Sequence, residues 1–295
     1  MTFTTNIRFG AKVDNYGPAM VSLGLAGPAA RAEAAGFSSL WLSDHVVMPS
    51  RTRSRFPFTE DGNIYWDPRD PWYEPVVCLP VLAGATETAE VGVGVLLAAL
   101  RHPVLLAKQL ASIDAMSAGR LLLGVGSGWM AEEFAALGVP FEDRGQRLDE
   151  LITVLRLCWT GQPGAFSGHF YHVPADMFCY PVPTRPVPVI VGGMSAPALR
   201  RAAVLGDGWL ALPKPSDDPL AVVRDAMTYV RETATAGGRD LSGWRCILNA
   251  HEPHLIAPLL PQLLDQGVTD VLVDLDYADP DGPATAFEML SAAAR

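Results

Sequence analysis

Eight short apolar segments, each followed by a helix-length stretch, recur from one end of this 295-residue chain to the other, and that alternation most constrains its fold. Strand patterns fall at 7–11, 39–42, 91–96, 120–125, 188–191, 208–212, 244–249 and 270–274. The run Leu121 to Val125 shows no polar alternation, as expected of a strand covered on both faces in a parallel sheet. Helical patterns fall near 19–35, 74–86, 103–117, 130–160, 196–205, 217–236, 255–266 and 283–294. Eight β-then-α units without a long linker predict an α/β fold, a single (β/α)8 TIM barrel domain over residues 1–295. A doubly wound open sheet would usually carry Gly-x-Gly-x-x-Gly after its first strand, and this chain does not.

Helix punctuation agrees. Pro103 after His102, and Pro197 after Ser195, stand in first turns, where a missing N–H costs nothing. Gly36, Gly206 and Gly267 stand just past helical patterns, where glycine is favoured as a left-handed cap. Two connections exceed ordinary barrel turns: 46–74, after strand 2, and 161–186, before strand 5. The first carries Phe56, Trp66, Trp72 and Tyr73, and reads as a lid over an apolar or planar substrate or as packing against a neighbouring subunit.

Composition excludes several classes. A net charge of −10, with Lys12, Lys108 and Lys214 the only lysines, leaves no basic patch for nucleic acid. Hydrophobic residues make up 49%, ample for a core, yet no apolar run approaches the length of a membrane span. The N-terminus has no signal-peptide pattern. Cys78, Cys158, Cys179 and Cys246 lack metal or redox spacing, and read as thiols of a reducing cytoplasm. The expected partner is a small molecule.

The chemistry concentrates at strand ends. Gly124, Gly126 and Gly128, with Ser127 and Trp129, close the fourth strand, and Gly192, Gly193 and Ser195 close the fifth. Such turns let backbone N–H groups approach an anion, or simply make a tight strand-to-helix turn. The frame fits neither a nucleophile elbow, nor a dinucleotide fingerprint, nor a P-loop. Asp44-His45 ends the second strand, where a histidine can shuttle a proton. Gly92 and Gly94 inside the third strand mark a bulge, a close ligand approach, or packing against a helix. His251-Glu-Pro-His254 lacks the carboxylate spacing of a metal site, and no metal is expected.

These segments together resemble the bacterial luciferase-like monooxygenase superfamily, in particular its branch that uses coenzyme F420. The likeness runs through 34–45, 101–114, 117–129, 133–141 and 191–209. It implies a cofactor ring in the barrel mouth beside Asp44 and His45, with His45 as catalytic proton donor or acceptor. It implies a bulge at Gly94 and Val95 with a non-proline cis peptide, and a phosphate end along Gly126, Ser127, Gly128, Trp129, Gly192, Gly193 and Ser195. The FMN-using branch tends to place an arginine at the fourth-strand turn. Gly126-Ser127-Gly128 is closer to the deazaflavin branch, so F420 is the expected cofactor and FMN the alternative. Some deazaflavin dehydrogenases have a glutamate acid where this chain has Trp129, so sugar-phosphate chemistry is not implied. A homodimer is expected, as in many relatives.

Overall fold

All eight barrel strands follow from the apolar runs, and they close on themselves. In the computed structural model, which describes residues 7–295, β1 (Arg8–Lys12), β2 (Ser39–Leu42), β3 (Glu90–Leu96) and β4 (Leu121–Val125) stand side by side. A two-stranded hairpin, β5 (Phe166–Ser167) and β6 (His172–Val173), lies outside the barrel within the second long insertion. The barrel continues through β7 (Val189–Gly192), β8 (Gly208–Ala211), β9 (Arg245–His251) and β10 (Asp270–Val273), and β10 pairs with β1. Every barrel pairing is parallel. Residues 1–6, where the chain shows no signal-peptide pattern, lie outside the described residues.

The surrounding helices are α1 (Gly17–Leu23), α2 (Ala26–Ala35), α3 (Pro75–Ala85), α4 (Pro103–Met116), α5 (Ala131–Ala136) and α6 (Arg144–Cys158). They continue with α7 (Ala196–Val204), α8 (Pro219–Ala236), α9 (Pro253–Ile256), α10 (Leu260–Gln266) and α11 (Gly282–Ala293). Three helices expected to be continuous are broken. Left-handed Gly24 (φ 66°) splits 19–35, and left-handed Gly138 (φ 68°) with Pro140 splits 130–160. Pro258 and Pro261 divide 255–266 around a short 3-10 turn. Gly36 and Gly267 are the left-handed caps expected of them, but Gly206 is not. Any Cβ there would lie 2.9 Å from the Gly208 carbonyl oxygen, so space decides that position.

Trp41 fills the barrel axis, surrounded by Leu122, Ile190, Leu210, Ile247 and Leu272. Its Nε1 donates to Ser39 Oγ at 2.9 Å. Gly92 and Gly94 make room for it, since a Cβ at either would lie 3.2 and 3.1 Å from the indole. Packing therefore explains these glycines, although the partner is an indole inside the barrel rather than a helix outside it. A bulge is present as well. The β3–β4 register shifts between Val93 and Leu96, and the Gly94–Val95 peptide is cis. The Val95 side chain then lies against β4 and β7, where a Cβ on Gly126 would come within 2.5 Å of it and one on Gly192 would collide.

The opposite end of the barrel is closed by charge. Arg245 is buried between Asp270 (2.5 Å) and Glu90 (2.7 Å), and Arg8 and Arg185 cap the same carboxylates. A cavity of about 790 Å³ opens at this end, away from the strand ends that carry the chemistry. Among the described residues no helix is long and apolar enough to cross a membrane.

These contacts make two glycines respond oppositely to the same change. Gly124→Ala drives a methyl into the Val93 carbonyl, and should cost about 3 kcal/mol, the upper end for overpacking. Gly84→Ala, exposed on α3 with nothing near its Cβ position, should stabilise by roughly 0.5–1 kcal/mol. Urea denaturation of the two variants checks both signs.

Candidate active site

Strand alternation sets which side chains enter the mouth. Two residues beyond the inward-facing Gly10, Leu122, Ile190, Leu210 and Ile247 come Lys12, Gly124, Gly192, Leu212 and Asn249. The mouth thus has a glycine half on β3, β4 and β7, and a polar half on β1, β9 and β10.

The loop after β2 is fixed from both sides. Buried Asn15 accepts from Ser43 N (2.9 Å) and donates to the Ser43 and Tyr73 carbonyls (2.9 and 2.6 Å). Asp44 is wholly occupied: Arg101 grips it at 2.7 and 2.9 Å, and Leu97 N donates at 2.7 Å. Arg101 also reaches Glu74 at 2.7 Å. Burial pushes the Asp44 carboxyl upward, and Arg101 and the Leu97 N–H oppose it. For Arg101, burial works downward but Asp44 and Glu74 outweigh it, leaving a net rise. Asp44 is therefore an anchor of the loop that carries His45.

His45 comes next, and its partner is one that motif reading did not assign. Nδ1 lies 3.2 Å from Oε2 of Glu133, in the first turn of α5. Glu133 is fully buried and accepts from Val46 N (2.5 Å) and Val47 N (3.3 Å) through its other oxygen. A carboxylate at Nδ1 assigns the proton to that nitrogen and leaves Nε2 as the exchangeable site.

The first long insertion covers this histidine. Trp72, Trp66 and Trp129 surround the imidazole with centroids at 4.9, 5.7 and 5.7 Å. Tyr16 stacks on Trp72 at 4.1 Å, and Phe56 joins Trp66 to Trp129. The indole N–H groups of Trp66 and Trp72 are buried without an acceptor among the described residues. Glu132 ties the insertion to α5 through Arg53 N (2.5 Å) and Ser54 Oγ (2.7 Å). Although burial works against it, these donors hold the Glu132 carboxyl down at about 2. At the crown, Glu60 meets Ser216 and, at 3.9 Å, Lys214.

The glycine turns are only partly available to an anion. Gly126 N donates to Leu96 O (2.9 Å) and Gly193 N to Leu210 O (3.3 Å), so neither is free, contrary to a simple cradle. The N–H groups of Ser127, Gly128 and Trp129, and of Met194 and Ser195, find no acceptor among the described residues. Ser195 caps α7 with its side chain unused and exposed. Arg144 of α6 donates to Gly128 O at 3.2 Å, so a guanidinium stands beside a turn that contains none.

On the polar half, Lys12 pairs with Asp274 (2.9 Å), and His251 Nδ1 meets the other Asp274 oxygen at 2.8 Å. Burial works against ionisation here, but His251 and Lys12 hold the Asp274 carboxyl down at about 2. His251 takes a left-handed backbone (φ 56°), uncommon for a residue with a Cβ. His254 is apart from it, exposed beside Glu252 at 3.7 Å.

Comparison with known proteins places this arrangement. The model of the luciferase-like monooxygenase family matches residues 1–252. An uncharacterised protein of Mycobacterium tuberculosis is 34% identical over 92% of each chain. An F420-dependent glucose-6-phosphate dehydrogenase of Amycolatopsis mediterranei is 30% identical over 69% of this chain and 56% of its own. The solved F420-dependent secondary alcohol dehydrogenase, in complex with an F420–acetone adduct, shares the fold with a TM-score of 0.75 over 98% of this chain and 99% of that one, at 17% identity. With the family model matching most of its length, the chain belongs to the luciferase-like monooxygenase family and is an oxidoreductase.

Proposed function

We propose that the protein is a coenzyme F420-dependent oxidoreductase that moves a hydride between the deazaflavin and a small organic substrate, with His45 exchanging the accompanying proton. The observation that carries this reading is the buried Glu133–His45 pair under the aromatic insertion. Relatives named for F420-dependent activity, and a fourth-strand turn without arginine, support F420.

The residues present fit a phosphate-bearing flavin-type group. Unpartnered N–H groups at Ser127, Gly128, Trp129, Met194 and Ser195 would take phosphate oxygens, with Arg144 supplying positive charge nearby. A Cβ at Gly126 or Gly192 would meet the Val95 side chain, so Val95 is the side chain that lines that half of the mouth. When bound, the deazaflavin supplies the two-electron hydride chemistry. The chain does the rest. Glu133 holds the proton on Nδ1, so Nε2 accepts the hydroxyl proton when an alcohol is oxidised and returns it when a carbonyl is reduced. Asp44, through Arg101 and Leu97, fixes the loop that carries His45. The tryptophans exclude water from the imidazole.

An FMN-dependent monooxygenase with a partner reductase is the second reading. Arg144 favours it, because it brings a guanidinium to the turn from a neighbouring helix. A cytoplasmic location is supported by the four cysteines, which are buried and free. A homodimer is supported by α3, which exposes Val77 and Val81.

Fluorescence titration of the purified protein with F420 and with FMN separates the two readings, and tight FMN binding without an F420 response overturns the first. His45→Ala should lower kcat with a panel of short secondary alcohols by about 10²–10⁴-fold while F420 affinity stays within about threefold. Glu133→Gln should fall between that variant and wild type. Ser127→Arg should strengthen FMN binding and weaken F420 binding, and unchanged affinity for both would remove this turn from the cofactor site.

A further inference from the structure

The polar half of the mouth contains a hydrogen-bonding group that nothing in the protein uses. Asn249 is only 4% exposed and, like Ile247 two residues earlier on β9, faces the barrel interior. Its Oδ1 is buried without a donor among the described residues. The orientation of this amide follows from its neighbours. Two groups face His251 Nδ1, Asp274 at 2.8 Å, which only accepts, and Lys12 Nζ at 3.3 Å, which only donates, and the shorter contact assigns the ring proton to Nδ1. His251 Nε2 is then an acceptor, and the Asn249 Nδ2 group faces it at 3.4 Å. The carbonyl oxygen is left for whatever enters the mouth. An unpaired buried acceptor is costly, so its retention needs a partner.

The surroundings restrict what that partner can be. A carboxylate or phosphate cannot donate to Oδ1. Lys12 and Asp274 already balance each other at 2.9 Å, so this half of the mouth offers no net charge for an ion to complement. A neutral donor satisfies both conditions. Lys12 keeps N–H capacity beyond Asp274 for an accepting oxygen elsewhere on the same molecule.

We propose that Asn249 is a specificity-determining residue that accepts a hydrogen bond from a hydroxyl of the substrate, with Lys12, His251 and Asp274 holding its amide in place. The substrate is thereby a hydroxylated, uncharged molecule, its donor group on the β9 side and its reacting carbon on the His45 side. This assignment rests on the oxidoreductase reading for the reaction, but the subsite itself is set by the amide.

Direct binding tests it. Ligand-observed NMR on the full chain, with and without F420, would compare α,ω-diols of three to six carbons with their monomethyl ethers, which lose one donor and keep both oxygens. At one or more chain lengths wild type should bind the diol about fivefold more tightly, the effect of one hydrogen bond. In Asn249→Leu the ratio should fall to about one, with the thermal melting profile still cooperative and F420 affinity retained. A diol preference that survives in Asn249→Leu, or none in wild type at any length, overturns the proposal. A preference that behaves as expected in a protein that fails to bind F420 leaves the subsite standing and removes the cofactor assignment. Should Asn249→Leu fail to fold, Asn249→Ser is the substitute, with the same expected loss of preference.

Discussion

Glu133 is a carboxylate with no exposed surface, and the site is organised around satisfying it. A buried carboxylate without partners is strongly disfavoured, and removing one partner of such a pair leaves the other uncompensated. Here one oxygen takes the backbone of Val46 and Val47, and the other faces His45. The same residue therefore orders the chain leaving β2, orients the imidazole and pins the first turn of α5 against the mouth. Its neighbour Glu132 repeats the arrangement on the outside, gathering Arg53 and Ser54. Two consecutive glutamates in one short helix thus hold both the histidine and the start of its aromatic cover.

The barrel was legible because its evidence is distributed. Each apolar run has its own length and flanking turn, and eight of them in series leave few topologies. The helix breaks at Gly24 and Gly138 were less legible, since a single positive-φ glycine ends each first segment. The glycines show a different limit. A glycine reports that a side chain is excluded, without saying by what. For Gly92 the excluders are Leu122 and Trp41, for Gly94 Trp41 and Leu210, for Gly124 the Val93 carbonyl, and for Gly126 and Gly192 Val95. All five positions attracted a ligand-based reading, and neighbouring side chains or backbone also account for their size.

Partners distant in sequence were the least legible. His45 stands out in a motif, but Glu133 lies 88 positions away in what reads as the solvated first turn of a helix. Arg101, Arg144 and the trio of Lys12, His251 and Asp274 share that character: ordinary surface residue types until the fold brings them together. His251 was visible only as half of a weak metal motif, and its actual partners come from β1 and the end of β10. A periodic pattern reports which face a residue occupies, whereas pairing depends on the register and tilt of strands far apart in the chain.

The aromatic cover is anchored unevenly along its length. Near its start it is held by Glu132, and at its end by Asn15 and by Glu74 through Arg101. The Asn15 and Ser54 contacts are part-buried and the Arg53 contact exposed, and the backbone donors and acceptors among them would be left unsatisfied where water cannot reach them. The crown is held by Glu60, itself 66% exposed, against Lys214 at 38%. An exposed pair of this kind contributes about 0–1 kcal/mol and is screened by salt. Between these points the cover is apolar contact, with the Trp66 and Trp72 N–H groups unpaired. The crown therefore rests on the Glu60 contacts with Ser216 and Lys214, while the two ends are tied down by backbone hydrogen bonds to Glu132 and Asn15.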